Sequence, residues 1–243
     1  DDRMKRITSI LLGLILAAAF SLTGCRSAAE PETDKGDPVS SAVTASNAPQ
    51  AGREAEANQP EQTAGGLKIT AEGVPVEVCL ASDGQYRCEY DEEAYAVTTV
   101  ENGSTFEIEV TDLQPEVDSG NSVVIYIPNQ SYTLLTVDSE GSSLILPAID
   151  ADITVTSDAS SVVVNLPADY NKTLNYAGNA SSCLLSMSGL KDFAVSAEIS
   201  ASAVSVPSGW PAYDVLSSEY RYTSGTGTAK INLDVTSGSF VFE

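Results

Sequence analysis

A short repeat in the second half of the sequence constrains the fold more than any other feature. Four stretches align on apolar residues with successive spacings of 18, 21 and 19: Val137, Val155, Tyr176 and Val195. Six positions after each stands a small residue: Ser143, Ser161, Ser182 or Ala201. A period near 20 with two short strands is typical of stacked β-coils, because a single coil cannot bury its apolar side alone. The repeat therefore predicts an all-β fold, a single-chain β-helix (β-solenoid).

The whole segment from Leu67 to Glu243 has the composition of strands and turns, and no apolar helical period lasts three turns. A β-sandwich with a strand every 8–12 residues or so is the competing architecture. The aligned Ser column and the Leu-Pro pairs that end two strands favour the solenoid. A later copy of the repeat places residues 231–233 level with residues 164–166. We expect residues 79–95 to cover the first coil and the strand at residues 239–242 to form the last.

The start of the chain has the pattern of an export signal, residues 1–25. Lys5 and Arg6 precede an apolar run at residues 10–20. That run is too short for the roughly 30 Å core of a bilayer, which favours a signal peptide over a transmembrane helix. Leu22-Thr23-Gly24-Cys25 resembles the lipobox of bacterial lipoproteins. The resemblance implies cleavage before Cys25, lipidation of its thiol and an extracytoplasmic position, anchored to the cell membrane by the attached chains.

A polar segment, residues 26–66, separates Cys25 from the repeats. It is rich in Ala, Glu, Pro, Ser, Thr, Gln and Gly, and Val39 and Val43 are its only branched apolar residues. Such a segment cannot bury enough apolar surface to offset the entropy lost on ordering. We therefore predict a disordered linker with a mean reach of about 35 Å, followed by a β-solenoid domain at residues 67–243.

The charge of the domain excludes several partners and chemistries. Residues 67–243 hold 25 acidic and 6 basic side chains, a net charge of 6 − 25 = −19. Such a surface repels a phosphate backbone, which excludes nucleic acid as a partner. The sequence has no histidine, so the usual general base and the usual zinc ligand are missing. Paired carboxylates could serve glycosidase or lyase chemistry on a β-helix, but no motif selects one pair among so many.

Several stretches of the repeat domain resemble a known family: IYIP from Ile125, TVDSEGSSLILP from Thr136, SSVVVNLPADYNKTLNYAG from Ser160 and GTGTAKINLDVTSGSFVF from Gly225. Together they are similar to the adhesin-like domains of bacterial surface proteins, a group of unknown function related to the head domain of auto-transporter adhesins. The resemblance covers about Leu67 to Glu243. It implies a single-chain β-helix at the cell envelope, and it implies no catalytic residues.

Two cysteines of the domain flank a turn. Asp83-Gly84 is typical of a type I′ hairpin, and a two-residue loop there places Cys79 opposite Cys88. Because the predicted compartment lies outside the cytosol, one interpretation is a Cys79–Cys88 disulfide, and the other is two small buried apolar side chains. Cys183 falls in a strand column of the repeat and is predicted to lie in the core.

Polar residues recur three positions after the aligned apolar column: Glu140, Asp158, Asn179 and Glu198. In a solenoid they would stack along one edge as oxygen ligands, which makes them candidates for a Ca²⁺ site. The alternative is a row of solvated turns, in which Asp and Asn are common for conformational reasons.

Aromatic residues recur just past the ends of the strands: Tyr132, Tyr170 and Trp210. Their flat faces could stack on the sugar rings of a ligand, or they could cover the strand ends and shield the core.

The sequence as a whole favours a membrane-anchored surface lipoprotein that presents a non-catalytic binding or structural domain without a cofactor. The expected partners are the membrane and a glycan or protein ligand at the cell surface. The alternatives are a polysaccharide-active β-helix enzyme and a sensor or scaffold lipoprotein of the envelope.

Overall fold

A computed structural model describes residues 64–115 and 121–243, and this part of the chain is all-β, as predicted. Cys25 and the predicted signal and linker segments lie outside the described residues, except that the first strand begins at Ala64, three residues before the predicted start of the domain. Within the described part, no helix is long and apolar enough to cross a membrane.

The described chain forms seventeen strands. They are β1 Ala64–Glu72, β2 Pro75–Ala81, β3 Arg87–Glu89, β4 Tyr95–Asn102, β5 Thr105–Asp112, β6 Val123–Pro128, β7 Tyr132–Glu140, β8 Ser143–Leu146, β9 Asp152–Asp158, β10 Ser161–Asn165, β11 Thr173–Asn179, β12 Ser182–Ser186, β13 Phe193–Ser200, β14 Ala203–Ser205, β15 Glu219–Ser224, β16 Ala229–Thr236 and β17 Ser239–Phe242.

These strands form two sheets. Sheet A has nine strands in the order β15-β13-β16-β11-β9-β7-β1-β5-β4, and sheet B has eight in the order β14-β17-β12-β10-β8-β2-β6-β3. Neighbours pair in parallel, except that β3, β4 and β15 pair antiparallel at the ends of the sheets. In the interior strands, buried and mostly apolar side chains alternate with more exposed and mostly polar ones, as in β9 and β16. This alternation places one face of each strand in the core and leaves the other in solvent.

The register confirms most of the predicted alignment. Val137 pairs with Val155 and Val155 with Tyr176 in sheet A. In sheet B, the column of Ser143, Ser161 and Ser182 is likewise in register. The last repeat departs from the prediction by two residues. Val195 is level with Ile231, and Ala203 rather than Ala201 continues the serine column.

Two strand pairs stand outside the order of the sequence. The β1–β2 pair lies between β5–β6 and β7–β8, and the β16–β17 pair lies between β11–β12 and β13–β14. The prediction that residues 239–242 form the last coil is therefore wrong, because β17 pairs with a strand on each side. Residues 231–233 belong to sheet A, level with residues 174–176, and not to the sheet that holds residues 164–166.

Antiparallel strands cover the ends of the stack. β4 lies along β5 and β3 lies along β6 at one end, while β15 lies along β13 at the other. The expectation for residues 79–95 is thus met only by β3 and by the start of β4, because Cys79 belongs to the interior strand β2. Each of these strands covers the edge of a parallel strand, and its own outer side becomes the edge of the sheet.

Six of the corners that lead from sheet A to sheet B turn through a residue with positive φ: Gly73, Gly141, Ala159, Ala180, Ala201 and Ser237. Gly adopts this left-handed conformation without steric cost, whereas an L-residue with a Cβ is strained by roughly 1–2 kcal/mol. Three alanines nevertheless occupy the position, with φ of about 50°. The strands next to these corners are all paired along the stack, and this pairing holds the strained conformation in place.

A ladder of buried serines follows these corners. The Oγ of Ser160 accepts from the backbone N–H of Ser142 at 3.1 Å, and the Oγ of Ser181 accepts from that of Ser160 at 3.1 Å. Each hydroxyl also donates to a carbonyl two residues earlier in its own coil, as Ser160 does to Asp158 at 2.8 Å. The serine ladder therefore satisfies backbone groups that the turn removes from the sheets.

The core between the sheets is apolar and closed at one end by aromatic rings. Cys183 lies in it, as predicted, and burial raises the pKa of its thiol. Phe240 and Phe242 from β17 lie in the core with ring centroids 4.9 Å apart, and Trp210 packs 5.2 Å from Phe242. The interior is thus filled from the C-terminal strand, which makes that strand part of the core rather than a cover for it.

Candidate functional site

The outward surface of four central strands of sheet A is an array of mostly polar side chains, which we call the polar face. Its three rows, read from β1 through β7 and β9 to β11, are Glu72, Glu140, Asp158 and Asn179; Thr70, Asp138, Thr156 and Ala177; and Lys68, Thr136, Thr154 and Asn175. None of these side chains is buried. Neighbouring residues within a row are roughly 4.8 Å apart, because they lie on adjacent paired strands. The polar face therefore offers regularly spaced hydroxyl, amide and carboxylate groups.

Hydrogen bonds and one ion pair hold parts of the polar face in place. The Asn179 amide Nδ2 donates to Asp158 Oδ1 at 2.9 Å, and Lys68 Nζ lies 3.5 Å from Asp138 Oδ2. The Asn232 amide donates to Asn175 Oδ1 at 2.9 Å, which carries the same order into β16. Such an array can hydrogen-bond an extended ligand along several strands at once. It contains no histidine, cysteine or serine that could act as a nucleophile paired with a base.

The predicted calcium ligands lie partly in one row. Glu140, Asp158 and Asn179 are in register, whereas Glu198 is level with Asp234 because the last repeat is displaced. Glu72 of β1 extends the row beyond Glu140. The sequence alignment of the repeats did not include Glu72, because β1 pairs with β7 although β2 to β6 lie between them in the sequence. Within residues 64–115 and 121–243, no three Asp, Glu, His or Cys side chains converge on a point where a metal ion could bind. The geometry therefore favours the alternative interpretation, a row of solvated side chains.

The aromatic residues predicted to stack on a ligand belong to the core. Tyr132 and Tyr170 are buried, so the prediction of ligand stacking is wrong for both. The Tyr132 hydroxyl donates to the carbonyl oxygen of Pro128 at 2.9 Å, and burial raises the pKa of both phenols. Trp210 is half-buried, with its ring 4.5 Å from Tyr222 and 5.2 Å from Phe193. The alternative, rings that cover the ends of strands, is the one that the structure shows.

The predicted Cys79–Cys88 disulfide is also wrong, since Cys88 is a free thiol. The turn at Asp83-Gly84 exists, with Gly84 at a φ of 67°, but it does not join two paired strands. Instead β6 lies between β2 and β3, so that Cys79 is level with Tyr126 and Cys88 with Ile125. Burial raises the pKa of the Cys88 thiol.

A carboxylate that no sequence motif marked organises the loop between β15 and β16. Asp192 Oδ1 accepts from the backbone N–H groups of Thr226, Gly227 and Thr228 at 2.7, 2.6 and 3.1 Å. Asp192 Oδ2 accepts from the hydroxyls of Thr226 and Thr228 at 2.8 and 2.7 Å. These bonds, led by the one from the Thr228 hydroxyl, hold the pKa of the Asp192 carboxyl well below its usual range. The carboxylate fixes the turn that directs the chain into the interior strand β16.

We expect Asp192→Asn to lower the melting temperature at neutral pH, and the difference from the unchanged chain to shrink as the pH falls below about 4. The pKa of the Asp192 carboxyl is lower in the folded than in the unfolded chain. The carboxylate therefore stabilises the fold fully at a pH above its unfolded pKa, and this stabilisation is lost as the pH falls towards the folded pKa. Thermal unfolding followed by circular dichroism between pH 7 and pH 2 measures this. Asp169→Asn, which removes another exposed carboxylate, is the control. A difference for Asp192→Asn that stays constant over this pH range would contradict the assignment.

No family model matches the sequence, and no curated protein matches it. Two solved structures superpose on most of the chain. A candidate cell adhesion protein from Clostridium sporogenes is 15% identical, with a TM-score of 0.49 over 77% of this chain and 95% of its own. A candidate adhesin from Bacteroides fragilis is 10% identical, with a TM-score of 0.33 over 72% of this chain and 91% of its own. At these scores neither structure assigns a family or a function to this chain.

Proposed function

We propose that the chain is a bacterial surface lipoprotein that is anchored to the cell membrane through lipidated Cys25 and presents a non-catalytic, adhesin-like β-solenoid. The lipobox-like residues 22–25 support the anchor, and the polar composition of the segment that follows supports a domain held away from the membrane. The expected ligand is a glycan or a protein at the cell surface. No cofactor is required, because binding rather than bond cleavage is the proposed activity.

The order of the strands supports the solenoid. The chain passes seven times from a strand of sheet A through a short corner or loop to a strand of sheet B. Each such pair lies beside another pair, parallel to it in both sheets, and equivalent residues form continuous rows across five or more strands. A coil of two strands repeated in this way is the unit of a β-solenoid, whose stability comes from contacts between neighbouring coils.

The polar face is the observation that carries the proposed binding function. Core formation uses only the inward side chains of sheet A, and it places no requirement on the eleven polar side chains of the outward rows. Their rows run across the strands, so a ligand that extends along the stack would meet the same kind of group every 4.8 Å or so. An open sheet surface with such rows suits an extended polymer or a second protein better than a small molecule, which needs a concave pocket.

Binding arrays of glycans and of extracellular-matrix proteins test the proposal, with the chain from residue 26 onward as the probe. We expect saturable binding that weakens at least tenfold in Asn175→Arg, because the long side chain covers the β11 end of the polar face and removes the amide that is bonded to Asn232. Ser161→Arg is the matched control, since it places the same side chain at an exposed position on the outward surface of sheet B. We expect this control to bind like the unchanged chain.

Calcium and a chelator are compared in the same arrays. Equal binding in both is expected, because no three acidic side chains converge on one point in the described residues. The proposal fails if the unchanged chain binds nothing in the arrays, or if Asn175→Arg and Ser161→Arg weaken binding to the same extent. The chain would then be better assigned to a scaffolding role in the envelope.

A further inference from the structure

The loop between β14 and β15 carries a tight turn at residues 214–217, which we call the apolar knuckle. The backbone N–H of Ser217 donates to the carbonyl oxygen of Asp214 at 2.8 Å, and that of Leu216 donates to Asp214 Oδ1 at 3.0 Å. The hydroxyl of Tyr213 donates to the carbonyl oxygen of Ser217 at 2.7 Å. The turn is therefore held in one conformation by bonds to both of its ends.

The two central residues of the apolar knuckle are the most exposed large apolar side chains of the described chain. Val215 is 81% exposed and Leu216 is 92% exposed, whereas the other exposed apolar side chains lie between 37% and 53%. A polar residue would satisfy the same turn, because only backbone groups and the Asp214 carboxylate hold it. Water contact with two adjacent apolar side chains is unfavourable, so a surface that covers them gains free energy.

Aromatic rings support the base of the apolar knuckle. The rings of Tyr213 and Tyr220 meet edge to face at 6.3 Å, and the Tyr220 hydroxyl donates to the carbonyl oxygen of Pro211 at 3.0 Å. Trp210 lies earlier in the same loop and packs on Phe193 of β13. An apolar tip above half-buried Tyr and Trp rings is the order of side chains favoured where a protein enters the boundary between water and lipid.

The shape and the size of the apolar knuckle favour lipid over a protein pocket. A standard protein interface covers about 800 Å² on each partner and surrounds its apolar anchor with further contacts. Within the described residues, no other large exposed apolar side chain lies on β13, β15 or the loop that joins β14 to β15. A lipid surface needs no matching pocket, and two side chains at a convex turn can enter it with weak, reversible affinity.

The charge around the apolar knuckle selects the kind of lipid. Asp214 precedes the apolar pair and Glu219 follows it, and the domain as a whole carries a net charge of −19 from residue 67 onward. A surface of anionic headgroups would repel these carboxylates, whereas zwitterionic headgroups carry no net charge.

We propose that the apolar knuckle inserts Val215 and Leu216 into the interface of a zwitterionic lipid surface. The assignment concerns a different part of the molecule from the polar face and does not rest on ligand binding there. Failure of one proposal therefore leaves the other untouched.

Phosphatidylcholine vesicles and the chain from residue 26 onward test this proposal. That form leaves out the apolar segment at residues 10–20, which would itself bind lipid, and it retains every described residue. Trp210 is the sole tryptophan, so its quenching by phosphatidylcholine with brominated acyl chains reports on this loop alone. We expect co-sedimentation with vesicles, quenching of Trp210, and at least a tenfold smaller partition coefficient for the double variant Val215→Ser, Leu216→Ser.

Val100→Ser is the matched control, since Val100 is 50% exposed on β4 at the opposite end of sheet A. Its partition coefficient should equal that of the unchanged chain. The double variant should keep its circular dichroism spectrum and melting temperature, because both side chains are mostly exposed already. The proposal is overturned if the unchanged chain does not sediment with the vesicles, if the double variant binds equally well, or if added phosphatidylglycerol strengthens binding.

Discussion

Removal of residues 238–243 is expected to abolish the cooperative unfolding transition of the domain. The six residues include β17, which pairs with β12 on one side and with β14 on the other. Phe240 and Phe242 are 1% and 4% exposed, and truncation of a buried Phe costs about 3–5 kcal/mol. Loss of the two rings alone would remove much of the free energy of unfolding of a typical domain, which is roughly 5–15 kcal/mol. The truncated chain also leaves one edge of β12 and one of β14 unpaired.

Urea denaturation followed by circular dichroism measures this effect. Val241→Thr is the control, because Val241 lies in the same strand, points outward and is only half-buried. It should change the free energy of unfolding by less than about 1 kcal/mol. A truncated chain that still unfolds cooperatively near the original midpoint would contradict the interior position of β17, and would instead fit a strand at the end of the stack.

Ser160→Ala is expected to lower the free energy of unfolding by about 2–4 kcal/mol, a large effect for the loss of one oxygen atom. The hydroxyl of Ser160 accepts the backbone N–H of Ser142 and donates to the carbonyl oxygen of Asp158. Ser160 is 6% exposed, so water cannot replace these bonds easily. The substitution leaves a buried N–H without its acceptor, which costs about 1–3 kcal/mol, and removes one further bond.

Ser161→Ala makes a matched comparison because it changes the neighbouring residue, whose side chain is exposed. The backbone N–H of Ser161 keeps its bond to the carbonyl oxygen of Ser142 in that variant. We expect a change within about 0.5 kcal/mol. Equal effects of the two substitutions in urea denaturation would show that the serine ladder does not stabilise the corners.

The turn at Asp83-Gly84 shows why a correct local signal led to a wrong contact. Both residues favour a tight turn through their backbone conformation, and the turn is present. A hairpin also needs a free edge on the first strand. β2 has none, because β6 occupies one edge and β8 the other. Cys88 therefore lies across β6 from the strand that holds Cys79, and the expected bridge is not formed.

The candidate surfaces were predictable to different degrees. The row of Glu140, Asp158 and Asn179 followed from the repeat, because these residues hold equal positions in repeated strands that pair in parallel. Glu72 joined that row only through the placement of β1 beside β7. The clamp of Asp192 on residues 226–228 had no local signal at all, since its partners are 34 to 36 positions away.

The sequence by itself determined the all-β class, the repeated pair of short strands, and the register of the central strands. These features depend on local alternation and on a repeat, which one chain segment can express alone. Only the tertiary structure decided which strand pairs are neighbours towards the two ends of the sheets. Any two strand pairs with apolar inward sides can pair in parallel in the same way, so the repeat does not distinguish β16–β17 from β13–β14 as the neighbour of β11–β12. Steric fit does distinguish them: Gly238 approaches the carbonyl oxygen of Ser181 so closely that a Cβ would lie 2.1 Å from it.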